Sequence, residues 1–139
     1  MFLIFTAGIS AGSEFPRGSF ELADLQKAKA SALTEKKDIA FIYTDKTTSC
    51  GLCQGAVAAY IGAVKSKTVI IYVNSEAKPS PLPQLPELVS QALKSGKFIP
   101  KIVVTDSNVS KVTASLTYEA YKEDNRKSIR GLRKALKAE

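Results

Sequence analysis

The sequence predicts an α/β domain with elements in the order α-β-α-β-α-β-β-α. Segments whose apolar residues recur at helical spacing alternate with short β-branched and aromatic runs, too short for helices and apolar enough for strands buried on both faces. Turn-forming residues separate the last two such runs by only a few positions, the pattern of an antiparallel hairpin. With 139 residues, 45% hydrophobic and 24% charged, the chain has the composition of one globular domain with one packed core.

The first helix is expected from Phe20, with Leu22, Leu25, Ala28 and Ala32 on one face, Ser19 as cap, Glu21 and Asp24 in the first turn, and Lys36-Lys37-Asp38 at its end. Residues 39–43 (IAFIY) then read as a buried strand, and residues 44–49 (TDKTTS) as a polar loop. Residues 50–67 keep helical spacing through Val57, Ala58, Ile61 and Val64, which puts Cys50 at the opening turn of a helix; residues 68–73 (TVIIYV) form the second buried strand.

Pro79, Pro81, Pro83 and Pro86 exclude a sheet interior and mark a loop that enters a helix at Pro86, with Leu88, Val89, Ala92 and Leu93 turned inward and Gly96 as the stop. Pro83-Gln84-Leu85-Pro86 also satisfies a PxxP pattern, for which helix entry is the simpler reading. The hairpin is expected from strands at 102–105 and 112–118, joined through Asp106-Ser107-Asn108. A last helix at 124–138 carries Ile129, Leu132, Ala135 and Leu136 on one side and Arg126, Lys127, Arg130, Arg133, Lys134 and Lys137 around them. No aromatic residues interleave these cations to stack on bases, so they read as a solvated basic face and no specific nucleic-acid partner is expected.

Residues 1–18 stand apart as a candidate truncated signal peptide and linker, and residues 19–139 form the domain. Met1 to Ile9 is apolar and Ser10, Ala11 and Gly12 are small, as in the hydrophobic and cleavage regions of a secretory signal, but the basic n-region is missing. A cleaved signal, a segment packed on the domain and an artefactual start all fit. The run is too short to span a bilayer, so no transmembrane segment is expected. A cleaved signal would place the protein in a bacterial periplasm or make it secreted; without one it is cytoplasmic.

Lys and Arg number 20 against 13 Asp and Glu, and there is no histidine, so the net charge is +7. Every histidine-dependent mechanism is excluded. Both cysteines fall in one tetrapeptide, Cys50-Gly51-Leu52-Cys53. As a staple this pair would add little, about 2 kcal/mol on a loop-entropy argument against about 4.7 for a loop of a hundred residues. Its placement suits chemistry better. A nucleophilic cysteine must be a thiolate, and the unpaired amides and dipole of a helix N-terminus stabilise that charge on Cys50; Cys53, one turn deeper, is shielded and placed to resolve a mixed disulfide. Gly51 leaves Cys50 open to a partner's backbone.

Here the sequence resembles the thioredoxin superfamily, on the strand 39–43, the CGLC motif, Ile99-Pro100 ahead of the hairpin and the basic C-terminal helix. The resemblance implies a central mixed β-sheet flanked by helices, a thiol-disulfide oxidoreductase without cofactor or metal, and protein dithiols or disulfides together with a redox partner as partners of a monomer. It implies a cis bond at Ile99-Pro100, against the ordinary preference for trans, and makes Gly51, Leu52, Ile99 and Pro100 the substrate-contact residues.

Departures from the family leave the direction of electron flow open. Leu52 stands where thioredoxins carry proline, Ser49 where they carry tryptophan, Thr44 at the position of the buried proton-relay aspartate, and Lys101 where threonine is common. Asp45, adjacent but out of phase, is the candidate relay, and Lys46 could favour a Cys50 thiolate or be an exposed loop lysine. Two other classes stay open: a thioredoxin-like interaction domain with negligible turnover, and a metal site, for which one CxxC supplies two of the four ligands zinc prefers.

Overall fold

A computed structural model describes residues 15–137. Its sheet has five strands: β1 (Phe20–Glu21), β2 (Asp38–Thr44), β3 (Thr68–Asn74), β4 (Lys101–Thr105) and β5 (Val112–Leu116). They lie in the order β1-β3-β2-β4-β5. β3 runs parallel to both β1 and β2, and β4 runs antiparallel to both β2 and β5. The helices are α1 (Leu25–Glu35), α2 (Gly51–Val64), α3 (Glu87–Leu93), α4 (Tyr118–Glu123) and α5 (Asn125–Lys137).

The central strand β2 shows why its run is apolar at almost every position. Ile39 and Phe41 pack with Ala28, Ala32, Val89 and Leu93 of α1 and α3, whereas Ala40 and Ile42 pack with Ala56, Tyr60, Leu132 and Leu136 of α2 and α5. A strand between two helical layers must be hydrophobic in both directions, so alternation disappears. The same parity puts Thr44 on the α2 side of the sheet.

Three expectations change. Phe20 does not open a helix: it pairs with Ile71 as β1, a single 3-10 turn follows at Leu22–Asp24, and α1 begins only at Leu25. Pairing covers the outer edge of β3, which would otherwise be left with unpaired backbone groups, and packs Phe20 on the core; that tertiary gain outweighs local helical spacing. Ser19 is accordingly no cap. The last strand stops at Leu116, because Thr117 turns the chain and its Oγ1 accepts the Ala120 N–H at 3.2 Å, capping α4, which the 3.6-residue pattern of a six-residue helix is too short to reveal. Finally, Pro86 is the extended N-cap of α3 rather than part of its first turn.

Phe41 is fully buried at the centre of this packing. Phe41→Ala is expected to lower unfolding free energy by about 3–5 kcal/mol, measured by urea denaturation.

Candidate active site

The loop after β2 is built to deliver one sulfur. Asp45 Oδ1 accepts the N–H and hydroxyl of Thr47, at 2.9 and 2.5 Å, which fixes the first bend. Thr48 Oγ1 accepts the Cys50 N–H at 3.1 Å, and the Gln54 side chain donates to the Thr48 carbonyl at 2.7 Å, tying the loop back to the first turn of α2. Cys50 is thereby held extended, at φ −71° and ψ 109°, as the N-cap of α2. Its Sγ accepts the Cys53 N–H at 3.2 Å. The sulfur does what a serine or aspartate oxygen does at other helix starts, satisfying an amide that the helix leaves without a partner.

The two thiols are free and differ in electrostatics. The Cys53 thiol beside it, donating a hydrogen bond, holds the Cys50 pKa below the usual thiol range, with the Cys53 amide acting in the same direction, desolvation opposing, and the Leu52 amide adding the least. Cys53 is pushed up to about 11, first by burial and then by the hydrogen bond to Cys50 and its charge. Around neutral pH the first proton to leave is therefore that of Cys50, while Cys53 keeps its own. The sequence placed Cys50 and Cys53 correctly at a helix start; the cap geometry adds that Cys50 lies just outside the helix and Cys53 within its first turn.

Ile99 and Pro100 reach the same end of the sheet. Tyr43 pairs with Lys101, so the chain leaving β2 toward Cys50 and the chain entering β4 through Ile99-Pro100 meet the sheet at one edge. The Ile99-Pro100 bond is cis. Pro100 is buried and Ile99 half-buried, and the Pro100 carbonyl accepts the Tyr60 hydroxyl of α2 at 3.0 Å. Gly51 is exposed, and a Cβ there would meet open space. Leu52 is 72% exposed and Phe98 59%, two of the large apolar side chains left open to solvent, with Leu33 and Val112 the others among the described residues.

The remaining candidates stand elsewhere in the loop. Asp45 has its Oδ1 engaged by Thr47 rather than by either thiol. Lys46 Nζ lies 4.6 Å from the Tyr72 ring centroid and 3.7 Å from Glu21 Oε2, drawn toward β1 and β3 rather than to Cys50. Thr44 is 1% exposed, and its Oγ1 has no hydrogen-bond partner among the described residues. Among those residues no three Cys, His, Asp or Glu come together as a metal site requires.

Sequence reasoning missed Tyr118. By composition it continues the last strand, yet it opens α4 and packs against the α2 side of the core, where burial, and after it the charges of Cys53 and Cys50, push its phenol up. The Thr117 cap was the signal available for it. Lys101, whose sequence position alone suggests no role, is buried, with Nζ donating to the Leu93 and Gly96 carbonyls.

A disulphide isomerase from Xylella fastidiosa Temecula1 superposes on this chain with a TM-score of 0.60, over 93% of this chain and 98% of that one, at 13% sequence identity. The fold is thioredoxin-like. A structure described as DsbH oxidoreductase aligns over 89% of this chain and 95% of its own, at 16% identity and a TM-score of 0.41. No protein family and no curated protein matches the sequence. The thioredoxin-like topology explains why the cap of α2 and the cis-proline turn share an edge: both follow from β2 lying between β3 and β4.

Iodoacetamide should alkylate Cys50 with a rate that rises with pH and levels off below the usual thiol pKa, while Cys53 reacts appreciably only toward pH 11. Cys53→Ala removes the largest source of Cys50 stabilisation, so the Cys50 midpoint should move upward in that variant; a midpoint that stays put would assign the stabilisation to the amides alone.

Proposed function

We propose that the protein is a thiol-disulfide oxidoreductase that exchanges disulfides with protein substrates as a monomer, without a cofactor. The observation that carries this is the Cys50 sulfur capping α2, with the neighbouring proton held on Cys53. Cys50 as thiolate attacks one sulfur of a substrate disulfide, forming a mixed disulfide and releasing the other substrate sulfur as a thiolate, which takes up a proton. Cys53 then loses its proton to solvent and attacks Cys50 Sγ, so that the substrate leaves with two thiols and the protein keeps the Cys50–Cys53 disulfide. Two electrons have passed to the substrate. Run backwards, the same steps oxidise a substrate dithiol, and in either direction a second redox partner resets the pair.

Gly51 and Leu52 on the rim, and the Ile99-Pro100 backbone at the same edge, are the surfaces offered to an extended substrate segment. Asp45 holds the turn that presents Cys50, and its part in this reading is that turn rather than proton transfer. One observation favours a second reading, a thioredoxin-like binding domain with slow turnover: Thr44, on the α2 side of the sheet, supplies a hydroxyl where a proton-relay carboxylate would stand. Insulin-reduction turnover separates the two.

Cys53→Ser should trap mixed disulfides between Cys50 and substrate proteins, and Cys50→Ser should abolish both trapping and insulin reduction. Trapping by Cys53 in the absence of Cys50 would reverse the assigned roles. Residues 1–11, where the export signal is expected, lie outside the described residues. If that signal is cleaved and the protein works in a bacterial envelope, N-terminal sequencing of protein from its native cells should find a chain starting at residues 12–15; an intact Met1 in the cytoplasm would move the role to cytosolic thiol chemistry.

A further inference from the structure

We propose that Tyr60, Lys101 and Glu119 are positioning residues that lock the turn at 94–100 onto the helix carrying Cys50, so that the backbone at Ile99 is held at a set place relative to the nucleophile. The proposal rests on the oxidoreductase reading above. The turn itself has little to hold it: residues 94–98 are exposed and no strand ladder runs through them. Three anchors from outside the turn supply what the ladder does not.

Glu119 of α4 reaches across with Oε2, which accepts the Lys97 N–H at 2.6 Å and the Phe98 N–H at 3.4 Å. Lys101, buried at the start of β4, donates to the Leu93 carbonyl at 2.7 Å and the Gly96 carbonyl at 3.0 Å. An ammonium ion and a carboxylate thus grip the donors and acceptors of one short stretch of backbone, and charge-assisted bonds of this kind are the strong ones. Gly96 fits the same device twice over. Its φ of +77° suits glycine, and a Cβ there would lie 2.8 Å from Glu119 Oε1, where the carboxylate sits.

The third anchor makes the turn part of the active site. Tyr60 is fully buried in α2, its ring edge-to-face with Tyr121 at 5.6 Å, and its hydroxyl donates to the Pro100 carbonyl at 3.0 Å. Side chains on a helix lean toward its N-terminus, so a tyrosine deep in α2 reaches back toward the end that Cys50 caps. One rigid helix therefore sets both the sulfur and the carbonyl that follows Ile99. A substrate segment that pairs with the Ile99 backbone is held at a distance from Cys50 that this helix fixes, whereas a small disulfide reaching Cys50 alone needs no such reference. Positioning of this kind acts on the extended substrate and leaves the intrinsic reactivity of the thiolate untouched.

The test uses the full chain carrying Tyr60→Phe, which keeps the ring and removes the hydroxyl, with Glu119→Ala as an independent second variant should the first fail to fold. Cys50 exchange is timed with oxidised glutathione and with a disulfide-linked extended peptide, and amide hydrogen exchange is followed over 96–101. The expected result is roughly a tenfold loss of kcat/KM for the peptide, taken mainly in KM, with glutathione within about twofold of wild type and faster amide exchange in the turn. Unchanged peptide kinetics would overturn the proposal, as would an equal loss with both substrates, which would mean that Cys50 itself had been disturbed. Wild-type protein that exchanges with glutathione but not with the peptide would overturn the protein-substrate reading before any variant is made, and amide exchange in the turn that does not change in either variant would overturn the clamp by itself.

Discussion

The Cys50 sulfur at the start of α2, facing both the thiol and the amide of Cys53, is the point on which the electrostatics of this site depend. A helix start leaves its first amides without partners, and something must accept from them. When the acceptor is a sulfur, the structural requirement of the helix becomes a stabilisation of thiolate, and the same spacing of three residues brings the second thiol against the first. Cys53, partly buried and hydrogen-bonded to Cys50, then finds its own ionisation opposed. The electrostatic difference between the two thiols follows from one residue standing outside the helix and the other inside it.

The rest of the fold presents that cap. β2, buried on both faces, sends the chain out at the edge where β4 brings it in, so the Asp45–Thr48 turns and the Ile99-Pro100 turn are neighbours because their strands are. The two sides are built with different means. The cysteine loop is held by short-range bonds among Asp45, Thr47, Thr48 and Gln54. The proline turn is held by bonds from Tyr60 and Glu119, 40 and 22 residues from their partners, together with a nearby buried ammonium, that of Lys101. Local bonds make the first loop a property of its own sequence, and distant ones make the second a property of the packed domain.

Elements with a strong period were legible. The buried runs at β2, β3 and β4, the helix begun by the CGLC motif, and the amphipathic last helix all appear where their patterns put them, within a few residues. What escaped was short or decided by neighbours. Phe20 has the spacing of a helix yet joins the sheet, because an unpaired β3 edge offers its backbone more than a lone turn does. Tyr118 continues a strand by composition and opens a helix by virtue of the Thr117 cap. Lys46, readable as support for a thiolate, lies instead against Tyr72 and Glu21.

By itself the sequence determined that two cysteines share one turn at a helix start, that no imidazole is present to assist them, and that helices and strands alternate around them. Those are consequences of spacing and composition, which act within a few residues along the chain. Only the tertiary structure decided that the Pro100 carbonyl is held by Tyr60, that a buried Lys101 and Glu119 grip the turn before it, and that the phenol of Tyr118 lies in the field of both thiols. The Tyr60 and Glu119 contacts join positions 40 and 22 residues apart, and even for the nearby Lys101 the partners of a hydroxyl, an ammonium ion or a carboxylate are set by which backbone groups the packed sheet and helices leave open to them, a quantity that no local pattern encodes.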